Sequence, residues 1–166
     1  MLGFYENFPQ NIHKISRFAT SISTKKLQQT LIETFTEMNG KTYNLEAVAE
    51  PLMPQCTVII DLGIAENNSF NYLDSAEKDK ALTILQKMAL PIIDFYCSLR
   101  YYRTQNEKKT PLRFDYYMIR FAFNKEFMEI RIFHERGPRY MSPENIIALL
   151  VAKINGKFSK KVLKSV

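Results

Sequence analysis

The amino-acid sequence predicts an α+β fold, an antiparallel sheet with helices packed on one face. Three observations lead there. CTVIIDLGIA, residues 56–65, has the β-branched density of a buried strand. RFDYYMIRFAFNKEFMEIRIFH, residues 113–134, reads as two alternating strands joined by a tight turn. Other segments carry apolar residues at helical spacing behind residues that cap helices.

In chain order, IHKISRFATSI (residues 12–22) is compatible with a first strand. Ser23 or Thr24 then caps a helix in which Leu27, Leu31, Phe35 and Met38 share one face, and Asn39-Gly40 ends it. The stretch from Lys41 to Gln55 holds two prolines and a short helical turn at Leu45–Glu50. The strand that starts at Cys56 meets the turn signal ENNS and a shorter strand, SFNYL, which together make a hairpin. Asp74 and Glu77 have capping-box spacing, and Leu82, Leu85, Met88, Ala89, Ile92, Tyr96 and Leu99 continue one broad apolar face. Pro91 removes a donor from the middle of that helix, so a kink or break is expected there. RYYR, Arg100 to Arg103, is its polar end, and the run TQNEKKT closes it.

For residues 113–134 a two-residue turn at Asn124-Lys125 pairs Ile119 with Ile130, Phe121 with Met128 and Tyr117 with Ile132 on one face, and Arg120 with Glu129 on the other. A loop longer by two sets Arg120 against Arg131, and like charges directly opposite are unfavourable. The two-residue turn also places Asp115 opposite His134. Finally Ser142 caps a helix with Pro143 in its first turn, Ile147, Leu150, Val151 and Ile154 along one stripe, and Asn155-Gly156 at its end. The resulting order is β-α-β-β-α-β-β-α. Its first six elements match the ferredoxin-like βαββαβ arrangement, with an added strand and a C-terminal helix. A single α+β domain over residues 1–156 and a basic tail over 157–166 are expected.

Length and composition bound the class. A chain of 166 residues with 46% hydrophobic residues is long enough for a core that needs neither disulfides nor metals. The net charge of +6 is concentrated in the last fourteen residues, which hold Lys153, Lys157, Lys160, Lys161, Lys164 and no acid. The body is therefore nearly neutral, which argues against a nucleic-acid-binding body. Cys56 and Cys97 have no CxxC spacing and sit among apolar residues, as buried thiols in a reducing cytoplasm do. The N-terminus has neither the basic nor the continuous apolar region of a signal peptide, and no apolar run is long enough to span a bilayer. No metal or cofactor motif is present in the sequence.

Chemistry-bearing residues gather around the end of the second hairpin. A carboxylate such as Asp115 beside the His134 imidazole stabilises its charged form and fixes its tautomer, the arrangement of a general acid or base. Arg136, Arg139 and Tyr140 follow and run into a helix N-terminus, a setting for a phosphate or carboxylate. The bland reading is that Gly137-Pro138 turns the chain, Ser142-Pro143 starts a helix and the pair is a structural ion pair. His13 follows the same logic and is read as an ordinary surface or half-buried histidine. The other hairpin face, with Tyr116, Met118, Ala122, Phe127 and Phe133 beside Arg120 and Arg131, is more apolar than a solvated sheet face.

Three functions are weighed on these residues. The first is a non-enzymatic binding or assembly module that meets a partner, most simply a second copy, through Tyr116, Met118, Arg120, Phe127, Arg131 and Phe133. The second is an enzyme or binder for an anionic substrate using Asp115, His134, Arg136, Arg139 and Tyr140. The third is nucleic-acid binding through the lysine tail and the aromatic face.

Overall fold

The computed structural model describes residues 1–45 and 56–166, so the turn expected at Leu45–Glu50 lies largely outside the described residues. Among the described residues nine strands form one sheet: β1 (Lys14–Thr20), β2 (Lys41–Asn44), β3 (Cys56–Glu66), β4 (Ser69–Tyr72), β5 (Ile92–Gln105), β6 (Lys108–Pro111), β7 (Asp115–Phe123), β8 (Phe127–Arg136) and β9 (Leu163–Ser165). Their order is β2-β3-β5-β7-β8-β1-β9, with β4 added to β3 and β6 to β5, and every pairing is antiparallel. Helices α1 (Thr24–Met38), α2 (Ser75–Lys87) and α3 (Pro143–Asn155) are the described helices. The fold is thus α+β on an antiparallel sheet. The element order departs from βαββαβ, because β2 adds a strand between α1 and the β3–β4 pair, four strands rather than the expected two run consecutively from β5 to β8, and β1 closes against β8 and β9.

Helix caps form where expected. Ser23, Asp74 and Ser142 each accept a hydrogen bond from the N–H three residues on, satisfying a donor that the first turn leaves open. The core lies between the helices and one sheet face. Phe35 of α1, Phe95 of β5 and Phe121 of β7 are fully buried and meet edge to face, with ring centroids 5.0–5.6 Å apart. Full burial of each such ring contributes about 1.5–3 kcal/mol. Edge-to-face contact adds roughly 0.5–1.5 kcal/mol per pair.

The expected long helix from Asp74 to Leu99 is corrected: α2 stops at Lys87 and residues 92–105 are β5. RYYR is accordingly strand, and its continuation turns at Asn106-Glu107, both in the left-handed region (φ 51° and 65°), into β6. Pro91 disfavours a helical conformation at Leu90 and cannot donate. The freed backbone of Leu90 is satisfied by buried Gln28, whose amide donates to the Leu90 carbonyl (2.6 Å) and accepts from its N–H (2.9 Å). Beyond it Ile93, Phe95, Cys97, Leu99 and Tyr101 are all buried at strand spacing.

The second hairpin also differs in register. Ile119 faces Ile132, Phe121 faces Ile130, and Arg120 lies opposite Arg131. The turn is displaced to Lys125-Glu126, with the Asn124 side chain accepting from the N–H groups of Glu126 and Phe127. The like-charge pairing is tolerated because each arginine has its own carboxylate, Asp94 for Arg120 and Glu129 for Arg131. Residues 157–166 are not a free tail: Leu163–Ser165 pairs with β1, and the Asn155 side chain accepts from Val162 and Leu163 N–H and donates to the Leu163 carbonyl.

Candidate functional site

Asp115 begins β7 with its side chain on the helix-covered side and no exposed surface. Its carboxylate accepts four hydrogen bonds. Oδ1 takes the Arg139 N–H (2.6 Å) and pairs with His134 Nε2 (2.8 Å); Oδ2 takes the Tyr101 hydroxyl (2.6 Å) and the Tyr140 N–H (2.9 Å). The expected meeting of Asp115 and His134 therefore occurs, by a different route. Tyr117, not Asp115, is directly opposite His134, and a bulge between Tyr116 and Tyr117 brings Asp115 within reach on the diagonal.

The loop after β8 is held by this carboxylate and by its own backbone. Gly137 (φ +114°) has no room for a side chain, since a Cβ would stand 2.2 Å from the Phe114 carbonyl oxygen. Arg139 also lies in the left-handed region at φ +63°, where its N–H turns to Asp115. The Tyr101 hydroxyl, donating to Asp115, accepts from Met141 N–H, and the Tyr117 hydroxyl donates to the Met141 carbonyl. Burial first, and then Asp115, push both phenols above their ordinary range, so both stay protonated donors.

These contacts divide the residues that were grouped as an anion site. Arg139 and Tyr140 serve Asp115 through their backbone, and the Tyr140 ring packs edge-on against Tyr101 with centroids 5.0 Å apart. Arg136 lies on the other sheet face, its guanidinium 4.1 Å above the Tyr116 ring. Tyr101 was missed in the sequence because its segment reads as a helix end; its place in the alternation from Ile93 is the signal that finds it. Among the described residues, no group of three or more His, Cys, Asp and Glu is placed to hold a metal ion. No described helix is long and apolar enough to cross a membrane. Cys97 is buried in the sheet, which pushes its thiol up to about 12.

His13 joins the edge of this cluster. Its Nδ1 accepts the His134 N–H (2.9 Å), which requires an unprotonated nitrogen, and its ring stacks on Phe133. Burial, then the charges of Arg139 and His134, hold its pKa below the usual 6.5. A histidine depressed on folding adds stability above the unfolded pKa and loses it as pH falls through the folded value. An NMR titration is expected to place the His13 midpoint below 6.5, with Arg139→Gln moving it upward; a midpoint above 6.5 contradicts this.

The face of the sheet away from the helices is the second candidate. The N-terminal residues cross part of it: the Gly3 N–H donates to the Ala65 carbonyl and the Gly3 carbonyl accepts from Asp94 N–H. Arg120, expected in the open face, is covered by this segment, with its guanidinium 4.4 Å from the Phe8 ring centroid and 5.2 Å from that of Phe4. Beyond the segment, rings continue across the sheet. Tyr5, Phe70, Tyr96, Tyr116 and Phe114 follow one another at centroid spacings of 4.7, 5.4, 6.1 and 6.1 Å. Phe70 and Tyr96 meet above β3 because Gly63 presents no side chain between them. Met118 and Phe133 sit half-buried in register beside Tyr96, Phe127 lies near the turn opposite Ala19, and Arg131 and Ile15 are exposed. Burial, then a hydrogen bond to Glu135, raise the Tyr96 phenol above its ordinary range.

Comparison with protein-family models, curated proteins and solved structures finds no match to this chain.

Proposed function

We infer that the protein is a non-enzymatic binding or assembly module that associates with a second copy of itself through the open sheet face. The observation that carries this reading is the unbroken row of rings from Phe70 through Tyr96 and Tyr116 to Phe114, flanked by half-buried Met118 and Phe133. Protein interfaces are enriched in aromatic residues, methionine and arginine, and a contiguous apolar sheet face on a monomer costs solubility. Aligned packing of two such faces is a common way to bury them.

Electrostatics favour protein over nucleic acid as the occupant. Arg17 and Arg131 share Glu129, Arg100 is paired with Asp61 and Arg120 with Asp94, so these four arginines are already engaged in ion pairs. A phosphate backbone needs cations that can release counterions. The Asp115–His134 cluster is read as architectural, because each carboxylate oxygen already takes two donors and the loop it ties is the entry to α3. The reading places the protein in the cytoplasm, where a buried thiol such as Cys97 stays reduced.

Sedimentation equilibrium tests the reading. The parent protein is expected to reach a dimer with rising concentration, and Met118→Lys to remain folded and monomeric, since an ammonium at the centre of the patch would be buried without a partner. A parent that stays monomeric at the highest soluble concentration, or a Met118→Lys variant that dimerises like the parent, overturns it.

A further inference from the structure

Two depressions lie side by side on the open face and share Tyr116. One, of about 270 Å³, is walled by Phe70, Tyr72, Tyr96 and Tyr116, floored by Gly63 and Ser98, with Asp61 in its lining. The other, of about 460 Å³, is formed by Arg113, Phe114, Tyr116, Arg136 and Gly137. Arg113 and Arg136 are both exposed, and neither is within ion-pair distance of a carboxylate among the described residues. Rings attract guanidinium groups through their electron-rich faces, and Arg136 already lies over Tyr116. One depression therefore offers what the other accepts.

Their arrangement sets the symmetry. When two identical sheet faces meet, the two-fold axis lies in the interface plane and brings each feature onto its reflection across the axis. The aromatic cleft, Tyr116 and Arg136 succeed one another across the strands, from β3 and β5 to β7 and β8. Arg136, Tyr116, Ser98 and Asp61 lie in one row, so an axis along β7 through Tyr116 sets Arg136 of each copy over the aromatic cleft of the other, with the strands of the two sheets aligned.

Resting on the self-association just described, we propose that the dimer is isologous about Tyr116, with Arg136 of each copy seated in the cleft formed by Phe70, Tyr72, Tyr96 and Asp61 of its partner. Asp61, already bonded to Arg100 at 2.8 Å, is then shared between two guanidinium groups. The two contacts are equivalent, and each copy contributes one half of both.

Reciprocity makes the proposal testable by complementation. An Arg136→Ala chain keeps a cleft and lacks the arginine; Tyr96→Ala keeps the arginine and lacks a cleft wall. Neither homodimer then holds a complete contact, whereas a mixed dimer keeps one. Sedimentation velocity is expected to show each variant alone dimerising at least tenfold more weakly than the parent, and the equimolar mixture, with one contact of two, recovering about half of that loss on a logarithmic scale. Ser98→Leu, which fills the cleft floor from an open position, replaces Tyr96→Ala if circular dichroism finds that variant unfolded. A parent dimer whose variants dimerise as well as it does, or whose mixture recovers nothing, overturns the proposal while leaving association through the face intact. A monomeric parent overturns both.

Discussion

Asp115→Ala is expected to cost about 3–5 kcal/mol of folding stability, read as a fall in the urea midpoint with unchanged slope. The cause is the set of donors left behind. The Tyr101 hydroxyl, the N–H groups of Arg139 and Tyr140, and His134 Nε2 all converge on one carboxylate with no exposed surface. A buried donor without an acceptor costs about 1–3 kcal/mol, and the loop that presents two of them cannot simply turn away. Gly137 is wedged against Phe114 and Asp115, and Met141 is fixed from both sides by Tyr101 and Tyr117. Asp115→Asn keeps the shape but turns one oxygen into an NH₂ group facing donors, so most of the loss should remain. Tyr101→Phe removes one donor and frees Met141 N–H, and is expected to cost about 1–2 kcal/mol. An alanine variant within 1 kcal/mol of the parent would sink the view that this carboxylate ties the loop to the sheet.

The same cluster shows what a single sequence conveys. α1 was legible because one period fits it: Leu27, Leu31, Phe35 and Met38 recur at helical spacing between a capping serine and Asn39-Gly40. Residues 92–101 were not, because Ile92, Tyr96 and Leu99 satisfy a helical period while Ile93, Phe95, Cys97, Leu99 and Tyr101 satisfy a strand period. The structure buries the second set, and α2 ends before Pro91. The hairpin register failed for a different reason. Arg120 against Arg131 is unfavourable for two strands alone, but Asp94 arrives from a third strand and Glu129 from the same face of β8. A shift of two residues preserves which side chains share a face, so Asp115 and His134 stayed neighbours despite the wrong turn. The N-terminal segment left no trace in any periodicity. Phe4, Tyr5 and Phe8 are irregularly spaced, and their role appears only once Asp94 and Arg120 are side by side.

Arg120→Met is expected to cost about 3–5 kcal/mol, because it strands a carboxylate that has no exposed surface. Arg120 Nε bonds Asp94 Oδ1 at 2.7 Å and its Nη2 bonds Oδ2 at 2.9 Å, the two-pronged geometry that guanidinium groups favour. The same Nη2 reaches the Tyr5 carbonyl at 3.1 Å, while Tyr5 N–H donates to Asp94 Oδ2 at 2.7 Å. The ion pair and the N-terminal segment therefore hold each other: the segment keeps water from the charges, and the charges fix its backbone. Removing the pair together separates the two contributions. Asp94→Asn with Arg120→Met leaves no buried charge, keeps an acceptor for Tyr5 N–H, and should recover more than half of the stability lost by Arg120→Met alone. Limited proteolysis reads the other half of the coupling. Arg120→Met should expose the bonds after Phe4 and Tyr5 to chymotrypsin while β7 and β8 stay intact, and the double variant should restore only part of that protection because the Tyr5 carbonyl has still lost its donor. Equal losses in the single and double variants would show that packing against Phe4 and Phe8, rather than an unpaired charge, sets the cost.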